Sequence, residues 1–391
     1  MGKLQPQLRF PEFNGNWKVD KLGVLFDISA GGDIKQEFVS QNRTDIFKYP
    51  IYANAEKNKG FYGYASIYKI DGEVITIAGR GVNIGIAHSR KEKFYPIVRL
   101  LVLKPKKETS VDFFEYAINN FDIVVESTGV PQLTAPQISN YEIFYTDFKE
   151  QTKIANFLSA IDEKINHLKE KKSLLEDYKK GIMQKIFNQE IRFKDDNGDD
   201  FEDWEIKTLG VVADFFKGKG LPKNHIKDDG SFKCIHYGEL FTKYNELIKN
   251  VISKTDIYDK PFLSIANDVL MPTSDVTPNG LATASCILED GVILGGDVLI
   301  IRQKKKVLDG LFLSFYIAQF REKVMKLVSG STVYHLYGSD MKNLEIVIPC
   351  LKEQTKIATF LSAIDDKIEL VLNQIQDTQE YKKGLLQQMF V

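Results

Sequence analysis

The side chains able to do chemistry sit on glycine-punctuated stretches, and none of those stretches has the spacing of an active site. Gly79-Arg80-Gly81-Val82-Asn83-Ile84-Gly85 faintly evokes a dinucleotide loop, but the glycine spacing is wrong and no βαβ context surrounds it. The chain contains no Asn-Pro-Pro-aromatic motif for amino methylation, no Gly-x-x-x-x-Gly-Lys-Ser/Thr phosphate loop and no strong nuclease signature. Cys234 and His236 are a lone pair among five scattered histidines, too few for a zinc site. No catalytic or metal-ligating residue is therefore assigned. What remains is polar contact from turns. In the first half the candidates are Arg80 and Asn83, with Tyr52, Asn54 and Lys57 from Tyr49-Pro50-Ile51-Tyr52-Ala53-Asn54-Ala55-Glu56-Lys57. In the second they are Lys217, Lys219 and Lys223, Thr273 and Ser274 after a strand, and Tyr334 with His335. For each of them an ordinary solvated turn residue is the competing reading.

The elements that position these turns come in duplicate. Glu150-Gln151-Thr152-Lys153-Ile154-Ala155-Asn156-Phe157-Leu158-Ser159-Ala160-Ile161-Asp162 returns as Glu353-Gln354-Thr355-Lys356-Ile357-Ala358-Thr359-Phe360-Leu361-Ser362-Ala363-Ile364-Asp365. Both copies run on without a gap to Tyr178-Lys179-Lys180-Gly181 and Tyr381-Lys382-Lys383-Gly384, and about half of the aligned positions are identical. An internal repeat dictates architecture before any other feature.

Each copy predicts a long helix. Apolar residues fall at alternating steps of four and three: Ile154, Leu158, Ile161, Ile165, Leu168, Leu175, Ile182 and Ile186 in one, Ile357, Leu361, Ile364, Ile368, Val371, Ile375, Leu385 and Met389 in the other. That is a coiled-coil seam, interrupted by Lys172 and Lys179 and by Thr378 and Lys382. A rod of this length, roughly 57 Å, cannot bury its seam alone. Pairing of the two rods is the economical solution, antiparallel so that the globular halves are not crowded together; two independent helices packed on their own domains are the alternative. Gly181 and Gly384 inside the helical pattern imply either close approach by another helix or a frayed or kinked rod.

Upstream of each rod lie roughly 150 residues whose ends match while their interiors do not. Trp17-Lys18-Val19-Asp20-Lys21-Leu22-Gly23 corresponds to Trp204-Glu205-Ile206-Lys207-Thr208-Leu209-Gly210, and Asn140-Tyr141-Glu142-Ile143 to Asn343-Leu344-Glu345-Ile346. Segment 188–203, rich in Asp and Asn, reads as a linker. Strands are predicted at 74–78, 97–103, 269–271 and 298–301, and helices at 111–121 and 311–327, which makes both halves mixed α/β domains. Trp17 and Trp204 read as buried anchors. A scaffold kept constant around divergent content suits a reader of two different targets, and half-sites on B-DNA about one turn apart lie within reach of such a rod.

Bulk properties narrow the class. The 391 residues, 43% hydrophobic and 27% charged, suffice for two or three domains with cores. No apolar run reaches the roughly 18 residues that span a bilayer, and the first residues lack the apolar core of a signal peptide, so a cytoplasmic location is expected. Three cysteines without close pairing suit a reducing compartment. The net charge of −1 is unlike that of most nucleic-acid-binding domains, although local basic clusters can act while acidic surface elsewhere cancels the total.

The motif Glu-Gln-x-x-Ile-Ala-x-x-Leu-x-x-Ile-Asp-x-x-Ile, at 150–165 and again at 353–368, with a Trp-x4-Leu-Gly entrance to each divergent domain, resembles the specificity (S) subunit of type I restriction–modification systems over essentially the whole chain. The resemblance implies target recognition domains at 1–148 and 191–351 and helices at 149–190 and 352–391, with a pseudo-twofold internal repeat. It implies that the polar turn residues above bind double-stranded DNA at a bipartite site, with the coiled coil setting the spacer. It further implies two adenine-N6 methyltransferase subunits docked on the helices, restriction subunits completing the complex, and S-adenosylmethionine, ATP and Mg used by those partners, with no cofactor on this chain. A fused enzyme and a scaffold without a DNA role are the rival readings. The half-site sequences are not readable from the chain.

Overall fold

The structure, a computed structural model, describes residues 5–391 apart from 56, 122, 124–130 and 305. Met1-Gly2-Lys3-Leu4, used above for the signal-peptide argument, and the side chain of Lys57 lie outside the described residues. The chain divides into two compact units, Met1–Lys169 with Asn373–Val391, and Glu170–Leu372.

In the first unit β1 (Lys18–Lys21), β2 (Phe26–Ala30), β3 (Val74–Ile77), β4 (Ala87–Arg90), β5 (Leu101–Pro105), α1 (Val111–Asn119) and β6 (Glu142–Tyr145) precede the 40-residue helix α2 (Phe148–Phe187). The main sheet has the order β2-β5-β3-β4, antiparallel throughout. All four residues of β3 are buried, as a central strand covered on both faces requires. One face carries Phe26, Ile75, Ile77, Leu101 and Leu103 against Phe113 and Phe114 of α1. A second small sheet holds Tyr49–Tyr52 between Phe61–Ala65 and Tyr95–Pro96.

The second unit contains β7 (Glu205–Thr208), β8 (Ala213–Lys217), β9 (Leu247–Ile248), β10 (Asp268–Pro272), β11 (Ser274–Asp275), β12 (Ser285–Ile287), β13 (Val298–Gln303), α3 (Gly310–Gln319), β14 (Tyr334–His335), β15 (Glu345–Ile348) and, as far as Leu372, α4 (Leu351–Met389). Its main sheet runs β8-β13-β10-β12-β9. The first four strands repeat the order and antiparallel pairing of the first unit, and β9 is added parallel to β12. Two domains with almost no interior sequence similarity thus share one sheet.

The matched entrance and exit sequences close each domain. β1 pairs antiparallel with β6, and β7 with β15, so chain ends far apart in sequence leave as one ribbon. Trp17 and Trp204 are buried beside these ribbons. Trp17 meets Phe113 and Phe390 edge-on, while Trp204 meets Phe312 and Phe187.

The Glu-Gln pair that opens each rod is buried and makes the joint. Glu150 takes a bidentate bond from Arg9, both contacts at 2.6 Å, and a further bond from Thr146. Glu353 takes bonds from Arg192 at 2.9 Å and from the Trp204 indole at 3.2 Å. Gln151 accepts from the Ser110 backbone N–H and Gln354 from that of Asp309, the N-caps of α1 and α3. Segment 188–203 is therefore not the plain linker expected. Arg192 reaches Glu353, Phe193 packs on Phe360, and Lys356 bonds Asp196, just as Arg9, Phe10 and Glu12 meet Glu150, Phe157 and Lys153. The physical reason is that both rods begin with the same buried acid, and each needs its own arginine.

Within each unit, segments of the two long helices pack antiparallel. Lys382 meets Asp162 at 2.6 Å in the first, and Lys179 meets Asp365 at 2.7 Å in the second. An advance of 17 residues along α2 is matched by a retreat of 17 along α4. Ile154, Leu158, Ile161 and Ile165 are buried, as are Ile357, Leu361, Ile364, Val371, Ile375 and Leu385; Leu168, Leu175, Ile182 and Ile368 are half-buried. Two of the lysines that interrupt the seam, Lys179 and Lys382, form these pairs, while Lys172 pairs with Glu176 on its own helix.

Neither rod frays or kinks at its glycine. α2 and α4 run through Gly181 and Gly384, and a Cβ built on either meets nothing within 4 Å. Gly181→Ala and Gly384→Ala are each expected to raise stability by about 0.5–1 kcal/mol, read by chemical denaturation. A loss of stability on either change would show that this space is not free.

Two expected elements differ. The apolar run 97–103 is not one strand: Val98 (φ 53°) and Arg99 (φ 57°) adopt the left-handed region before β5. The Ile97 N–H bonds Tyr52 while Leu100 accepts from Gly31, so the chain must turn between two sheets. The helix expected at 311–327 breaks at Phe320 (φ −109°, ψ 38°), whose ring sits 4.6 Å from that of Tyr316.

Candidate nucleic-acid interface

In each unit the loop that carries Arg80 and Asn83, or Thr273 and Ser274, leaves the main sheet at one end, whereas Tyr52, Asn54 and Lys57 follow a strand of the second small sheet. Lys217 and Pro272, the last residues of β8 and β10, lie opposite Leu299 and Val298 at the start of β13. In the first unit Ala30 and Ile77, ending β2 and β3, both pair with Leu101 at the start of β5. Loop 78–86 and loop 273–284 therefore follow the same strand of the same sheet.

Their backbone contacts also match. Gly79 accepts from the Leu133 N–H at 2.8 Å and Arg80 bridges Gln132; Thr273 accepts from the Leu336 N–H at 3.1 Å and Ser274 pairs with His335. The structure thus brings Thr273, Ser274, Tyr334 and His335 together. Lys217 stands nearby, 3.3 Å from Asp297, whose carbonyl accepts from the Thr273 N–H. Lys219 donates to the Lys260 carbonyl at 3.3 Å, and Lys223 begins a short turn of 3-10 helix.

In the first unit the roles divide. The Arg80 guanidinium donates to Gln132 at 2.8 and 3.2 Å and remains partly exposed. Asn83 lines a cavity of about 160 Å³ with Thr76, His88 and Arg90. Asn54 is committed to the backbone: its amide donates to the Val98 carbonyl at 2.5 Å and accepts from the Gly79 N–H at 2.9 Å. It clamps the loop instead of presenting a free edge. Tyr52 was expected to reach a ligand from a turn, but the residue is only 8% exposed, its ring lies 3.6 Å from the Arg90 guanidinium, and its hydroxyl donates to Glu92. Burial, then the Glu92 bond, pushes its hydroxyl up to about 12, and burial holds the Arg90 guanidinium below its ordinary value. Tyr52 belongs to the interior because it ends the middle strand of the second sheet. Lys57 contributes backbone to a 3-10 turn with Asn58 and Lys59 at positive φ.

Sequence reasoning missed Arg99. It is exposed on the left-handed turn beside Asn54, and nothing distinguishes it within an apolar run. Tyr337 was also missed; its ring stacks on His335 at 6.0 Å and is exposed. Burial pushes the Cys234 thiol up to about 11 and the Cys286 thiol well above its ordinary value. No cluster of metal-ligating side chains occurs among the described residues, and no helix among them is long and apolar enough to cross a membrane.

A family model described as the type I restriction modification DNA specificity domain matches residues 14–177 and 201–378. A putative type I restriction enzyme specificity subunit of Methanocaldococcus jannaschii is 25% identical over 377 residues, covering 94% of this chain and 82% of the relative. The crystal structure of a type I restriction-modification system S subunit from M. genitalium aligns with TM-score 0.66 at 16% identity over 99% of both chains. A chain from a structural study of complex assembly and conformational transition of the type I R-M system aligns with TM-score 0.54 at 14% identity over 95% of both chains. With both halves matched by one model, each carrying the same sheet and the same helix joint, the chain belongs to the family of type I restriction–modification specificity subunits.

Proposed function

We propose that this chain is the non-catalytic DNA-reading subunit of a type I complex, working in the cytoplasm, with target recognition domains at 1–148 and 191–351 that each bind one half of a bipartite site. The observation that carries this reading is the pair of matched sheet ends, where equivalent turns display different polar side chains. Arg80, Asn83, Arg99 and the Lys57 turn serve one half-site, with Asn54 and Tyr52 holding their supports. Lys217, Lys219, Lys223, Thr273, Ser274, Tyr334 and His335 serve the other. Arginine, lysine, asparagine and hydroxyl side chains are the types that read base edges and hold phosphates. The helices at 149–190 and 352–391 fix the spacer and dock two adenine-N6 methyltransferase subunits and the restriction subunits. S-adenosylmethionine, ATP and Mg belong to those partners, and the target adenine turns into the methyltransferase pocket.

The test is co-expression with the cognate methyltransferase subunit, followed by single-molecule mapping of N6-methyladenine across a host genome. A split motif with one methylated adenine on each strand is expected. Methylation that is absent, or independent of this chain in an assembled complex, would overturn the assignment. In the same assay Arg80→Ala should relax or weaken one half-site by about 1–3 kcal/mol and leave the other unchanged. Unchanged specificity and affinity would remove Arg80 from the interface.

A further inference from the structure

The matched register of the two loops exposes a coincidence that neither half shows alone. Counting from the carbonyls that accept from Leu133 and Leu336, Gly79 corresponds to Thr273, Arg80 to Ser274, and Val82 to Val276. Across the seven aligned positions of 79–85 and 273–279, the valine is the one identity. Val82 is 96% exposed and Val276 is 72% exposed. Single exposed apolar residues are ordinary on protein surfaces. What the two loops share is a β-branched residue held in solvent at the same register position, on loops whose backbone contacts match.

Both tips are pre-shaped. In the first loop the Gly85 N–H bonds Ala78 at 2.9 Å and the Ile86 N–H bonds Asn83 at 3.1 Å. In the second, Asp275 accepts from the Val276 N–H at 2.7 Å and from the Thr277 hydroxyl at 2.8 Å, which occupies its carboxylate inside the turn. Each valine therefore leads a hydrogen-bonded turn, with Arg80 and Asn83 beside one and Ser274 beside the other, while the Thr277 hydroxyl is engaged within its turn by Asp275 and the Gly280 N–H. A target that offers acceptors beside one exposed apolar group fits this surface. Among base edges in the major groove only thymine does so, with its O4 acceptor and its 5-methyl group.

We propose that Val82 and Val276 are specificity-determining residues that contact the 5-methyl group of a thymine, one in each half-site. The inference rests on the DNA-reading function above. Its test uses the full chain assembled with its methyltransferase subunit and, once the site is mapped, synthetic duplexes in which each thymine in turn is replaced by deoxyuridine. The parent complex should lose about four-fold in affinity at one thymine of each half-site, the loss that removal of one buried methyl gives. Val82→Ser should abolish the response in one half-site only, and Val276→Ser that in the other; both tips are exposed, so neither change disturbs folding, and co-purification with the partner verifies assembly. Indifference of the parent to every deoxyuridine would overturn the inference and leave the DNA-reading function standing. So would variants that respond like the parent, or that weaken thymine and deoxyuridine duplexes equally, the outcome for an apolar wedge between base steps. A parent complex that binds no duplex containing the mapped site would defeat both.

Discussion

Replacing Glu353 by alanine should destabilise the second unit by about 2–3 kcal/mol, below the range for a fully buried ion pair because the Arg192 guanidinium keeps access to water. Glu353 is wholly buried and is the common acceptor for Arg192 and the Trp204 indole. Without it, a guanidinium and an indole N–H lose their shared acceptor at the root of α4, and the N-terminal turn of that helix loses its tie to segment 188–203. Each unit holds one tryptophan, so Trp17→Phe leaves Trp204 as the sole reporter for denaturant titration of this unit. Glu353→Gln retains an acceptor for the indole and should lose less than the alanine variant. A loss below about 1 kcal/mol for Glu353→Ala would mean that the joint is held by the apolar cluster around Phe187 and Phe312 instead.

The second large effect is expected at Lys179. Its ammonium lies 2.7 Å from Asp365 and 3.1 Å from Glu246, and all three side chains are mostly buried. Lys179→Met leaves two carboxylates facing one another, with only Lys249, itself paired with Asp366 and Glu369, acting on Asp365 from further off. The expected loss is about 2–3 kcal/mol at neutral pH, less than for a fully buried pair because water reaches part of the group. The pH dependence has a definite sign. Burial already holds the Asp365 carboxyl above its ordinary value, with Lys179 opposing that shift. An acid whose folded value is raised binds its proton more tightly when folded, so its contribution to stability grows as pH falls. Removing the opposing lysine raises it further. The deficit of Lys179→Met relative to the parent should thus be largest at neutral pH and above, and should shrink as pH falls towards the ordinary carboxylate range. Denaturation curves across that interval check this, and a deficit that widens on acidification would sink the account.

The rods were legible because a four-three spacing of apolar residues has one economical solution, and the repeat supplied it twice. The joint was not. Glu150 and Gln151 mark the motif in sequence, but their burial depends on Arg9, 141 residues away. Leu8-Arg9-Phe10 and Ile191-Arg192-Phe193 do repeat one another, yet they stand at different distances from Trp17 and Trp204, so a gapless comparison passes over them. The break at Val98 and Arg99 is hidden because an apolar run carries no signal for a left-handed turn. The common sheet was illegible for a related reason: strand order is set by pairing among β3, β4 and β5, and different apolar residues fill the same places in β10, β12 and β13. Tyr52 shows the limit for single residues, since an aromatic hydroxyl beside Pro50 and Ile51 suits a surface turn and a strand end equally well.

The duplicated joint also bears on inheritance. Everything a globular domain must match in order to seat, the buried Glu-Gln pair, the tryptophan and the closing phenylalanine, has a counterpart in the other unit. The near-identical stretches beginning at Glu150 and Glu353 are encoded outside the divergent interiors. A crossover between genes within those stretches would deliver a foreign interior to a seat it already fits, with no compensating change in either rod. The two halves can then be shuffled independently, and the pairings open to a lineage grow as the product of the interiors available to it.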